Sequence, residues 1–208
     1  MATYKYTPPT HSDVIKLSFP QEHVMLLTFN RPKALNAVND ELRLTVNAVL
    51  TWFEEHPELW CVGFCRRHSG GSDFCYRVVV ITGEGSTFCA GADLLEWKRK
   101  QERGEAGQTR DSGMENGFAA ISRRNSSKPI IAAVNGSAYG GGVEVLLNCD
   151  LVIASEQAVF ALPEVKRGVV AVQGGSCRVV FESITHRCWV ALTCMQAFPD
   201  CRGLPVIK

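Results

Sequence analysis

The chain has 208 residues, 46% of them hydrophobic and 21% charged, with a formal net charge of +1. That size suits one globular domain with a sizeable core, and the near-neutral balance gives no electrostatic case for nucleic acid or an anionic membrane. No apolar run reaches the roughly 18 residues that a membrane span needs.

The opening "MATYKYTPPTHSDVIKLSF" lacks the apolar h-region of a signal peptide, and the final "VIK" is not a peroxisomal address of the SKL type. The expectation is an intracellular protein, cytoplasmic by default, with peroxisome and mitochondrion left open for a full-length product. "HVMLLTFN" then reads as a short apolar strand ended by the punctuation "RPKALNA". "NDELRLTVNAVLTWFEEHPEL" reads as an amphipathic helix, capped by Asn39 or Asp40, with Leu42, Val46, Leu50 and Phe53 in one stripe. "VVVITG" from Val78 is a buried strand, and "EGSTFCAGADLLEW" a loop entering a helix. Residues 99–116 are polar and expected to be mobile. "KPIIAAVNG" is a second buried strand, "GGGVEVLLNCD" a short helix and "LVIAS" a third strand. Strands alternating with helices imply an α/β architecture, and no period of 20 to 50 residues repeats recognisably.

Nine cysteines are unevenly spread. Cys61, Cys65 and Cys75 lie in or beside one irregular segment, and Cys177, Cys188, Cys194 and Cys201 near the end. Only Cys89 and Cys149 lie in regularly patterned sequence. A secreted disulfide framework would spread them more evenly. The series Cys61, Cys65, His68, Cys75 lacks the paired short ligand loops of a zinc site, so no metal is expected.

Gly140, Gly141 and Gly142 open the short helix directly after a strand. Glycine lets a backbone approach a ligand closely, and free N–H groups at a helix start favour developing negative charge. Two phosphate-loop patterns fail: there is no G-x-x-x-x-G-K-[ST], and "GEGSTF" lacks the third glycine of a dinucleotide fingerprint. Tight helix–strand packing remains one reading of the glycines. An oxyanion hole is the other, with "CAGAD" offering a second N–H at Ala92. Two glutamates stand nearby in apolar sequence. Glu144 lies one helical turn after Gly141, and Glu164 follows Pro163 in a loop after "AVFAL". Either alone would more often be structural. Together with two N–H donors they form a set able to move a proton and a water beside a carbonyl. A serine-hydrolase reading finds no partner for Ser137.

The motifs "RPKALNA", "TGEGSTFCAGADL", "KPIIAAVNGSAYGGGVEVLLNCDLVIAS" and "FALPEVKRGVV", in that order, resemble the enoyl-CoA hydratase/isomerase family of the crotonase superfamily. The resemblance covers about residues 15–60 and 78–175. It implies a spiral of ββα units, assembly into a homotrimer or hexamer for a full-length member, and an acyl-CoA thioester substrate with no separate cofactor. It further implies that Ala92 and Gly141 form the oxyanion hole, that Glu144 activates water and that Glu164 protonates Cα. Lys33, Ala34 and the backbone of Ala92, Asp93, Leu94 and Leu95 would lie along the CoA, with Asp93 orienting its loop. Leu95 departs from the lysine frequent in hydratases. The alternative is a non-catalytic CoA-ester-binding or misfolded fragment, which has no need of both acids.

Two segments break the family pattern, 61–77 and 176–208. Permissive back-translation places a splice donor at Trp60–Val62 and an acceptor at Ser72–Arg77, and excision joins "HPELW" to "VVVITG" in frame. A similar pair after Gly175 has a length that would shift the frame. The expectation is therefore a crotonase-like domain over 1–175, C-terminally truncated and carrying a retained-intron insertion at 61–77, followed by an out-of-family tail at 176–208. Such a chain is expected to be poorly stable and nearly inactive, although its site residues are present.

Overall fold

The computed structural model describes residues 8–21, 23–55, 78–105, 115–167 and Gln173. The segments 61–77 and 176–208, with the cysteines they hold, lie outside the described residues.

Two sheets carry the architecture. The larger has the order β1 (Ile15–Gln21), β2 (Val24–Phe29), β3 (Val78–Gly83), β5 (Ile130–Val134), β7 (Leu151–Ala154). The smaller has the order β4 (Thr87–Cys89), β6 (Ser137–Tyr139), β8 (Phe160–Ala161). Among the described residues only β1 and β2 run antiparallel; every other pair is parallel. From β3 onward each turn of the chain gives one strand to each sheet and then a helical segment. These segments are α2 (Leu94–Glu102), α3 (Gly141–Leu146) and a 3-10 turn (Pro163–Arg167). This is the spiral of ββα units that the resemblance implied.

The repeat escaped a periodicity reading because the turns begin at Val78, Ile130 and Leu151, at unequal intervals. Four strands also went unread. β1 carries Lys16 near its start and Pro20 near its end, while β4, β6 and β8 have two or three residues each, too few to show alternation. Part of the stretch expected to be mobile is ordered, since α2 continues through Glu102.

The helix α1 (Asp40–Glu55) forms as its stripe predicts. Asn39 is the cap, its Oδ1 accepting from Leu42 N at 2.9 Å. Leu42, Val46, Val49, Leu50 and Phe53 are buried and share one core with Met25, Leu27, Phe29, Val79 and Ile81. Each such side chain contributes about 1.5–3 kcal/mol of burial. Lys128, itself buried, closes the helix by donating to the carbonyls of Phe53 and Glu54 and by standing 4.7 Å over the Phe53 ring. Cations at a helix C-terminus oppose its negative end.

Candidate active site

The ends of β4, β6 and β8 converge. Parallel pairing aligns Cys89 with Ala138 and Tyr139 with Ala161, so the loops that leave these strands emerge on the same edge. They carry Ala92, Gly141 and Glu164. Open sites in parallel sheets commonly form at such carboxyl ends.

The first loop is pinned by the "RPKALNA" segment. Ala90 N donates to Leu35 O, Val38 N to Gly91 O and Asp93 N to Val38 O, forming a bridge between Val38 and Ala92. Asn36 is fully buried in the left-handed region and gives its Nδ2 to the carbonyls of Glu84 and Thr87, at 3.0 and 2.7 Å. Its Oδ1 accepts from Arg31 N at 2.9 Å. Arg31 reaches Asp93 at 2.9 Å, and Asp93 also caps α2 by accepting from Leu95 N and Glu96 N. Burial raises the Asp93 pKa, but the Arg31 hydrogen bond and charge and the two helix N–H groups outweigh it and hold the carboxyl below its ordinary range. Asp93 thus orients its loop. Lys33 and Ala34 sit on a 3-10 turn, Pro32–Ala34, beside an open cleft of about 410 Å³. Leu94 and Leu95 are exposed on α2.

The two loops meet through glycine. Gly91 has φ +90°, and a Cβ there would stand 2.9 Å from Tyr139 O and 3.7 Å from Gly141 N. A Cβ on Gly142 would lie 2.6 Å from Cys89 O. The triple glycine therefore serves close packing, and it also leaves N–H groups available. Among the described residues nothing accepts from Ala92 N or Gly141 N.

Glu164 stands beside Gly140, and Glu144 lies on the first turn of α3, which Gly141 opens. Glu144 is 3% exposed in the first turn of α3, its N–H donating to Gly140 O. Glu164 lies on the 3-10 turn rather than in a plain loop. Its Oε1 comes within 2.5 Å of where a Gly140 Cβ would be, and its Oε2 is buried with no partner among the described residues. A buried carboxylate oxygen without a partner calls for an explanation, and a bound ligand would supply one. Cys89 is close by, but burial pushes its thiol up to about 12, only partly offset by the Gly91 N–H, so it remains an uncharged core residue. Among the described residues no cluster of His, Cys, Asp and Glu is placed to hold a metal.

The family model for enoyl-CoA hydratase/isomerase matches residues 69–193. The chain belongs to that family. It is 42% identical over 181 residues to the mevalonyl-coenzyme A hydratase SIDH of Beauveria bassiana, covering 85% of this chain and 58% of that protein. It is 43% identical over 164 residues to the sidH protein of the same description from Aspergillus fumigatus, covering 79% and 53%. The chain thus spans little more than half the length of these curated relatives. A carnitinyl-CoA hydratase from Mycobacterium avium superposes with a TM-score of 0.65 at 40% identity, over 82% of this chain and 57% of that one. Sequence reasoning overlooked Arg31 and Asn36, which it read as punctuation, and Phe118, whose ring covers Gly141. Only the spacing within "RPKALNA" could have hinted at the first two.

Proposed function

We propose that this site adds water across the Cα=Cβ bond of an enoyl-CoA thioester, or removes it in reverse. The observation that carries the proposal is the conjunction, on one sheet edge, of two N–H groups and a buried Glu164 oxygen that have no partner among the described residues. The thioester oxygen accepts from Ala92 N and Gly141 N, which stabilise the enolate as it forms. Glu144 takes a proton from water, the water oxygen bonds to Cβ, and the π electrons move toward the thioester. Glu164 gives a proton to Cα as the enolate collapses. Lys33, Ala34 and the backbone from Ala92 to Leu95 receive the CoA.

The two fungal relatives, described as mevalonyl-coenzyme A hydratases, make mevalonyl-CoA the first substrate to test. Its dehydration is the same step run backward. The assay follows absorbance of the unsaturated thioester with crotonyl-CoA and dehydrated mevalonyl-CoA. Turnover abolished by Glu144→Gln supports hydration, whereas thioester binding without turnover in the unaltered chain supports the non-catalytic alternative. Assembly into trimers or hexamers belongs to the same proposal and is read by light scattering.

The segment 61–77 is further proposed to be an insertion. In support, the flanking stretches "HPELW" and "VVVITG" join into continuous family pattern when it is removed. Sequencing the transcript across Trp60 and Gly175 tests this reading and that of 176–208. A mature message that retains both segments counts against it.

A further inference from the structure

Among the described residues, the turn before β5 is one of two places where consecutive non-glycine residues take positive φ. Gly117, Ala119 and Ala120 all have positive φ, at 70°, 51° and 57°, and both alanines are fully buried. Alanine resists the left-handed region because its Cβ crowds the following carbonyl, so such a turn persists only where its surroundings hold it.

Those surroundings are unusually complete. Ser122 Oγ accepts from Phe118 N at 2.7 Å and donates to the carbonyl of Gln173, beyond the Glu164 turn. Asn148, just after α3, donates to the carbonyls of Ile121 and Arg124 at 2.6 and 2.9 Å. The buried Arg124 bonds Asn47 and Thr51 on α1 at 3.1 and 2.8 Å. The turn is thereby tied to α1, to α3 and to the chain beyond Glu164.

What this clamp holds in place is Phe118. A Cβ built on Gly141 would lie 2.6 Å from each of three carbons of the Phe118 ring, so the face of the ring covers that glycine. The ring occupies the space that a side chain on Gly141 would take.

We propose that Phe118 is a positioning residue that aims the Gly141 N–H at the thioester oxygen, and that the positive-φ turn exists to hold its ring. This rests on the oxyanion-hole reading of Ala92 and Gly141. A plane of aromatic carbon pressed on a glycine fixes the peptide without offering it a competing acceptor. Preorganised donors matter because reorientation during reaction would cost what the hydrogen bond supplies.

The test compares the unaltered chain with Phe118→Leu and Phe118→Ala, using butyryl-CoA, which cannot be hydrated. Isotope-edited infrared spectroscopy reads the bound thioester C=O stretch, calorimetry reads affinity, and crotonyl-CoA hydration reads kcat. The unaltered chain should lower the C=O frequency on binding. Phe118→Ala should lose about half of that shift or more, with affinity within about threefold and kcat down about 10- to 100-fold. Phe118→Leu should fall between the two, and it carries the test if the alanine variant fails to fold. A lowered melting temperature with an unchanged C=O shift would mean that Phe118 only packs, and would overturn the inference. An unaltered chain that binds butyryl-CoA with no C=O shift would overturn the oxyanion reading itself.

Discussion

The two sheets of this molecule are built on opposite economies of side chain and backbone. In the five-stranded sheet, continuous ladders present Met25, Leu27 and Phe29 to α1 and its stripe, all fully buried or nearly so. In the three-stranded sheet no strand exceeds three residues, and the close contacts are glycine against backbone. There a Cβ on Gly136 would fall 1.9 Å from Ser86 O, and one on Gly142 2.6 Å from Cys89 O. The first sheet removes apolar area from water. The second holds peptide groups and carboxylates at fixed places on one edge. Stability and chemistry should therefore separate under mutation.

The largest expected effects fall on the two acids at the edge of the small sheet. Glu144→Gln and Glu164→Gln should each lower hydration kcat about 10²- to 10⁴-fold, the usual contribution of a positioned acid or base. Melting temperature should hardly move for Glu164→Gln, because its Oε2 has no partner to lose among the described residues. A steep drop in thermal stability would mean that Glu164 is structural, and the division between the sheets would fail.

The converse change belongs to the large sheet. Leu42→Ala, at a fully buried position, should cost about 2–5 kcal/mol in urea unfolding. The kcat per folded molecule should stay the same. If activity falls in parallel with no loss of folded protein, packing under α1 reaches the site.

Legibility in the sequence followed the same division. The stripe of α1 and the apolar runs of β2, β3 and β5 could be read because burial on this scale imposes a pattern over many residues, whereas β7 was read from its apolar run alone, its Leu151 and Ile153 being exposed. The small sheet imposes none. β8 is two residues long, and its pairing with Tyr139 is a tertiary fact. The candidate site residues could still be singled out, because triple glycine beside an isolated glutamate is chemically conspicuous. Phe118 was not, since one phenylalanine among alanines reads as core until its ring is seen over Gly141.

Asn36 ties the two regions together, and its loss should be intermediate in size. It holds the carbonyls of Glu84 and Thr87 just beyond β3 and at the start of β4. Asn36→Ala leaves Thr87 O without that buried donor and puts alanine at φ +55°. A cost of about 1–3 kcal/mol is expected. A substitution without effect on denaturant unfolding would show that the two sheets do not depend on this bond.

The smallest effect isolates a charge. Asn caps helices as well as Asp does, so Asp93→Asn keeps the α2 cap through Oδ1 and removes the ion pair with Arg31 together with the hydrogen bond that Oδ2 accepts from it. Both side chains are mostly buried, and the expected loss at neutral pH is about 1 kcal/mol. The pH dependence gives the sign. The folded-state pKa of Asp93 lies below its ordinary 3.8, so its contribution is fully present above 3.8. It declines as pH falls through the folded value, where the native carboxylate at last takes a proton. Unfolding curves of the two proteins should therefore differ by a constant amount at neutral pH and converge in acid below pH 3.8. A difference that persists unchanged into strong acid would assign the role of Asp93 to hydrogen-bond geometry rather than charge.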